Sequence, residues 1–326
     1  MPSTPFPLYS HFPALARIPR MALGRFPSPV ERLTEAAAGG ALWVKRDDLN
    51  APAFGGNKVR ALEFLLGSVQ PGDEVLTVGG EGSTHVLVTA AMARELSART
   101  HAIRWTHDMN PTAQVVAERA STMCERVATT ASPLTALLRA LAMRATRRVH
   151  WIPLGGTSPL GMLGHVNAGL EIADQVRAGL LPTPTRIVVP LGSGGTTAGI
   201  ALGVAIAGLD STVVGARVGP RIAVNRARVL RLARATARLI QHVTGERVPN
   251  VTRDRVHVVH DVYGGAYGRP LPRSREGTEL LRQHTGVRLD DTYSAKAFTA
   301  ALELARRGDG PTLFWLTFDA RWMQED

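Results

Sequence analysis

Lysine is scarce in this chain. Of thirty-eight basic residues only Lys45, Lys58 and Lys296 are lysine; the rest are arginine. A lysine can do what arginine cannot, which is shed its proton near neutral pH and attack a carbonyl. Lys58 lies in "WVKRDDLNAPAFGGNKVRALEFLLG" (43–67), after a Gly-Gly-Asn turn and before an amphipathic run. Two readings stand for it: an amine nucleophile, or a solvated residue at a helix start.

A second group of residues has the chemistry of an anion cradle. In "RIVVPLGSGGTTAGIALGVAIAGL" an apolar strand ends at Leu191, a glycine loop follows, and a helix opens near Thr197. Gly192, Gly194 and Gly195 let bare backbone approach a phosphate, and Ser193, Thr196 and Thr197 add hydroxyl donors. The spacing is not that of a dinucleotide fingerprint, and the next strand ends in "GARVG" without an acid for a ribose. An NADP site using Arg217 and a plain tight turn remain as other readings. Two similar loops occur. "TVGGEGSTHVLVTAAMARELS" puts Ser83, Thr84 and His85 at a helix start, where Ser83 or Thr84 can also be an ordinary cap. "IPLGGTSPLGMLGHVNAGLEI" puts Gly155, Gly156 and Thr157 after a strand.

These loops need parallel strands to present them. Short apolar runs at 42–45, 74–78, 101–105, 149–154, 186–191, 211–218, 255–260 and 312–317 alternate with helical segments. The helices are expected at 58–69, 84–98, 112–123, 134–146, 162–178, 197–208, 222–243, 274–285 and 294–307. This pattern predicts an α/β protein with ligands at the carboxyl ends of parallel strands. At 326 residues the chain is long enough for two domains.

The net charge of +11 raises nucleic-acid binding as a possibility. Its densest stretch, "RVGPRIAVNRARVLRLARATARLIQH", spaces Arg221, Arg228, Arg231, Arg234 and Arg238 along one helical face with no aromatic residue among them. A solvated helix face is expected, and no nucleic-acid partner. No run of eighteen apolar residues suggests a membrane span. The proline-broken N-terminus does not read as a signal peptide. The single cysteine, Cys124, fits a cytoplasmic protein. No cysteine or histidine spacing suggests a metal site.

The motifs together resemble the fold-type II pyridoxal-phosphate enzymes, and within them the 1-aminocyclopropane-1-carboxylate (ACC) deaminase and D-cysteine desulfhydrase family. The similarity runs through "VKRDDLNAPAFGGNKVRALEFLL", "GGEGSTH", "IPLGGTSPLGMLGHVNAGLEI", "LGSGGTTAGI", "YGGAYGRP", "TYSAKAFTAL" and "TLFWLTF", all in family order. The resemblance implies two open twisted parallel-sheet domains, tryptophan synthase β-like, with the active site in the cleft between them. Residues 1–50 with 160–326 would form the larger, cofactor-binding domain and 51–159 the smaller, in a homodimer. Lys58 would form a Schiff base with pyridoxal 5'-phosphate, with Asn57 and Thr84 among the cofactor contacts. Asn57 can cap a helix whose first residue is Lys58, and the positive helix end favours the neutral amine. Gly192 to Thr196 would hold the phosphate and Thr317 the pyridine nitrogen. Ser83, Thr84, His85, Gly156 and Tyr267 would meet a small amino-acid substrate, with Tyr263 beside Tyr267 over it. Deaminases of this family carry Glu before the second tyrosine and Leu where desulfhydrases carry Thr; here those places hold Ala266 and Thr317. The implied reaction is therefore β-elimination from D-cysteine or a related D-amino acid, giving pyruvate, ammonia and sulfide. ACC deamination and a non-catalytic binding role are the alternatives. The family pattern is broken at Gly82, Thr84 and His165, which replace glutamine, asparagine and tyrosine, and at Phe318 and Asp319, which are expected to bring bulk and charge close to the cofactor.

Overall fold

The structure is a computed structural model and describes residues 6–34 and 38–323. Among the described residues ten strands form two sheets. The larger runs in the order β1 (Val30–Leu33), β2 (Leu42–Arg46), β10 (Thr312–Leu316), β7 (Arg186–Leu191), β8 (Thr212–Arg217) and β9 (Val256–Val259). All its pairings are parallel except β1 with β2. The smaller is wholly parallel, in the order β5 (Arg126–Thr130), β4 (Arg99–Trp105), β3 (Glu74–Gly80) and β6 (His150–Ile152). The fold is α/β with two parallel-sheet units, the larger carrying one antiparallel edge strand.

β2, β7 and β10 are almost completely buried, which explains their near-continuous apolar runs. Helices follow most strands: α1 (Pro7–His11), α2 (Asn57–Leu65), α3 (Thr84–Glu95), α4 (Pro111–Met123), α5 (Pro133–Thr146), α6 (Pro159–Arg177), α7 (Gly195–Ala207), α8 (Arg226–Thr244), α9 (Ser274–Thr285) and α10 (Ser294–Arg306). α6 packs along α7 and α2.

Beneath α2 lies a buried ion cluster. Arg60 donates to Asp47 at 2.7 Å and to Glu171 at 2.9 Å. Lys45 donates to Glu171, to Gln175 at 2.7 Å and to the Ser28 carbonyl at 2.6 Å. Two cations face two carboxylates, so the cluster is neutral overall. Burial pushes both carboxyls up, but Arg60 and Lys45 outweigh it and leave Asp47 and Glu171 below their ordinary range. The cluster joins β2, α2 and α6, and so fixes the helix that carries Lys58.

Candidate active site

Lys58 is positioned by the turn before it and by the end of β10. Gly56 has φ +136°, and a Cβ there would lie 2.3 Å from the Thr317 carbonyl oxygen, so a side chain is excluded. The Asn57 amide donates to that carbonyl at 3.2 Å, and the Asp319 amide to Gly55 at 3.1 Å. Asn50 clasps the Gly56 backbone from the other side with two hydrogen bonds of 3.0 Å. Arg60 and Glu63 are buried beneath α2, whereas Lys58 lines the cleft. Its Nζ donates to the Gly155 carbonyl at 3.2 Å and, among the described residues, makes no ion pair. Desolvation lowers its pKa to about 8.

Two local expectations are corrected here. α2 begins at Asn57 and is capped by Gly56, without a side-chain cap. The Asn57 side chain instead donates to Thr196 Oγ1 at 2.7 Å, tying the lysine turn to the glycine loop. The carbonyl that meets Lys58 belongs to Gly155; Gly156 packs behind it, near Ala61 and Leu65, and does not line the cleft.

The cleft has a volume of about 360 Å³ and draws its walls from both sheets. At one end stand Gly192, Ser193, Gly194, Thr196 and Thr197, with Gly195 opening α7 just behind. Gly194 adopts φ +96°. Thr197 Oγ1 is buried without a hydrogen-bond partner. Arg228, reaching from α8, donates its Nε to the Ser193 carbonyl at 2.8 Å and lines the cleft. No acidic side chain lines the cleft among the described residues. A hydroxyl- and amide-rich loop at a helix start, an orphaned hydroxyl and a guanidinium fit a phosphate group. Thr317 lines the cleft from the end of β10.

The start of α3 forms the facing wall. Ser83 occupies the cap position but makes no side-chain cap bond, so its hydroxyl is left to the cleft beside Thr84. His85 bonds Thr77 Oγ1 at 2.9 Å. Desolvation and the neighbouring Lys58 push its pKa down to about 3, which keeps it neutral. Tyr267 and Tyr293 complete the lining, their hydroxyls hydrogen-bonded and their rings edge-on at 5.9 Å. Burial raises Tyr267 to about 12 and lifts Tyr293 well above the ordinary phenol range, so both keep their protons.

Tyr263 is not in this group. Its ring lies under Arg217 at 4.3 Å and its carbonyl accepts from Lys296 at 2.7 Å. Tyr293 takes the place expected for it. Ala266 is exposed and does not line the cleft, so of the two branch-marking positions only Thr317 bears on it. Arg217 donates to the Gly219 and His260 carbonyls, which leaves it no role as a 2'-phosphate clamp.

The departures from the family pattern have different fates. Asp319 is buried and turned away, bound to Arg321 at 2.8 Å and to the Gly55 amide, so it brings no charge into the cleft. Phe318 does line the cleft and stacks edge-on with Trp322. Gly82 lies against the Ala113 carbonyl, outside the lining. His165 is buried, 3.4 Å from Thr196 Oγ1, with Nδ1 unpartnered. Burial first, then Lys58 and Arg60, hold it neutral.

A cleft between two parallel-sheet units, with a lysine of lowered pKa in the same lining as a phosphate-type loop, defines a carbonyl-cofactor enzyme of the α/β class. The comparisons name the cofactor. Residues 21–317 match the family described as pyridoxal-phosphate dependent enzyme, and the chain belongs to that family. It is 37% identical over 321 residues to nocardicin C-9' epimerase of Nocardia uniformis subsp. tsuyamanensis, covering 94% of each chain. It is 32% identical to D-cysteine desulfhydrase of Salmonella paratyphi B, covering 92% of this chain and 94% of the relative. Among solved structures it is similar to an ACC deaminase homologue, with TM-score 0.78, 27% identity, and coverage of 98% and 95%.

Proposed function

We propose that this pyridoxal-phosphate enzyme catalyses β-elimination from D-cysteine or a related β-substituted D-amino acid, releasing pyruvate, ammonia and sulfide. The observation that carries the reading is Lys58 itself, an unpaired amine of lowered basicity in a small cleft, with a free Ser83 hydroxyl in the same lining. At about 360 Å³ the cleft is near the lower end of small-molecule sites, roughly 300–1,000 Å³, and favours a small substrate beside the cofactor.

When bound, pyridoxal phosphate supplies an electron sink for charge developing at the substrate Cα. Gly192 to Thr196, with Thr197 and Arg228, would hold its phosphate; Asn57 and Thr84 would flank it, and Thr317 would face its ring nitrogen. The Lys58 amine, once released, takes the Cα proton at Nζ. Ser83 Oγ, with Thr84 and His85 at the start of α3, orients the substrate carboxylate or relays that proton. The protonated Tyr267–Tyr293 pair can donate a hydrogen bond to a departing thiolate, and Phe318 gives the same cleft an apolar wall.

The test is purified holoenzyme with D-cysteine. Pyruvate and sulfide in equal amounts support the proposal. A second reading has one observation in its favour, the epimerase at 37% identity. An epimerase would return a proton to the opposite face of Cα, so incorporation of solvent deuterium at Cα without pyruvate would replace elimination with epimerisation. Ammonia and 2-oxobutanoate from 1-aminocyclopropane-1-carboxylate would point to the ACC deaminase branch. A protein that binds cofactor and does none of these would be a binding relative.

A further inference from the structure

A second cavity, larger than the cleft at about 910 Å³, opens between the first turns of α8 and β9. Arg221, Arg226, Arg231, Arg234 and Arg253 line it, and no acidic side chain does among the described residues. The nearest carboxylates in sequence are already engaged: Asp254 with Arg255 at 3.6 Å and Asp261 with Arg273 at 2.8 Å. None of the five guanidiniums has an ion pair among the described residues, although ion pairs are made by many other arginines of the chain. His257 and His260 add two ring edges, and Val251, Val258 and Leu230 supply an apolar floor.

Five like charges around one cavity repel one another, and their summed potential is relieved by an anion. A simple solvated helix face explains why arginines are tolerated on α8. It does not explain why Arg253, from a different segment, and Arg221, from the turn before the helix, converge on the same hollow. Guanidinium forks match phosphate oxygens two at a time, so several of them around one space suit a ligand carrying more than one phosphate. The lining contains no Phe, Tyr or Trp, so it lacks the large aromatic platforms on which a series of bases stacks. A second copy of this chain, itself at +11, would bring mostly the wrong sign.

We infer that this cavity is a binding site for a small polyphosphorylated anion, separate from the cofactor's phosphate loop. The two are divided by the segment 219–228. Gly219, Pro220, Ala223, Val224 and Arg228 face the cleft, whereas Arg221, Asn225 and Arg226 face the second cavity.

The experiment is calorimetric titration of cofactor-loaded enzyme with inorganic triphosphate, so that the phosphate loop is already filled. Saturable binding at one site per chain is expected. Arg231→Ala with Arg234→Ala, both exposed on α8, should weaken it by at least about tenfold, from loss of two charge-assisted contacts. The cofactor's visible absorbance and the melting temperature should stay unchanged in this double variant, and Arg238→Ala, on the same helix but outside the cavity, should leave binding intact. Absence of saturable binding, or equal loss with Arg238→Ala, would overturn the site. Tighter binding to random duplex DNA than to triphosphate, growing with duplex length, would replace it with a nucleic-acid surface.

Discussion

Lys58 should capture its cofactor at pH values where an ordinary lysine would be inert. An amine with the usual lysine pKa of 10.5 is neutral in about one molecule in three thousand at pH 7; one at about 8 is neutral in about one in eleven. Attack on the cofactor aldehyde needs the neutral form, so burial raises the reactive population about 300-fold at that pH. The sign follows from the cause. Desolvation penalises the charged amine, so the folded protein gives up this proton more readily than the unfolded chain does. Apo-enzyme mixed with pyridoxal phosphate in a stopped-flow spectrometer should show a capture rate rising with pH and levelling near pH 8. A rate still climbing tenfold per pH step through pH 9.5 would show that Lys58 has ordinary basicity and would refute the desolvation argument.

Three further outcomes follow from the same geometry. Arg228→Met should weaken cofactor retention roughly tenfold to a hundredfold, from ~1.5–3 kcal/mol for a hydrogen bond to a charged group, measured by equilibrium dialysis. Glu171→Gln leaves Arg60 and Lys45 facing one carboxylate, so denaturant unfolding should show a loss of about 3–5 kcal/mol. Because Asp47 and Glu171 are held below their ordinary range, the wild-type cluster contributes fully above the unfolded carboxylate range and loses that contribution as pH falls through their folded values. Tyr293→Phe removes the hydroxyl that pairs with Tyr267 and should lower kcat more than it raises KM, whereas Tyr263→Phe, away from the cleft, should leave both unchanged.

Much of the fold is legible because it is local. Buried parallel strands such as "RIVVPL" and "TLFWL" announce themselves as continuous apolar runs, and the glycine loops punctuate them. The missed strands, β1 and β5, are sheet edges. "VERL" and "RVATT" alternate with charge or hydroxyl, are only partly buried, and carry no such run. Lys58, Ser83 and the 192–197 loop are legible for the same reason, since each sits at a strand–turn–helix junction. Arg228 and Tyr293 are not. Arg228 shares a helical stripe with solvated arginines, and only the tertiary position of α8 brings its Nε to Ser193. Nothing in the sequence singles out Tyr293, and only the chain path after β9 brings it, rather than Tyr263, to the cleft. The Lys45–Asp47–Arg60–Glu171 cluster is invisible to any reading that assigns charges to the surface.

The most direct measurement is borohydride reduction of the cofactor-loaded protein followed by peptide mass spectrometry. A pyridoxal-phosphate adduct confined to Lys58 is the expected result. An adduct on Lys45 or Lys296, or unmodified Lys58 in a protein that retains its colour, would contradict the placement of the amine on which the whole account rests.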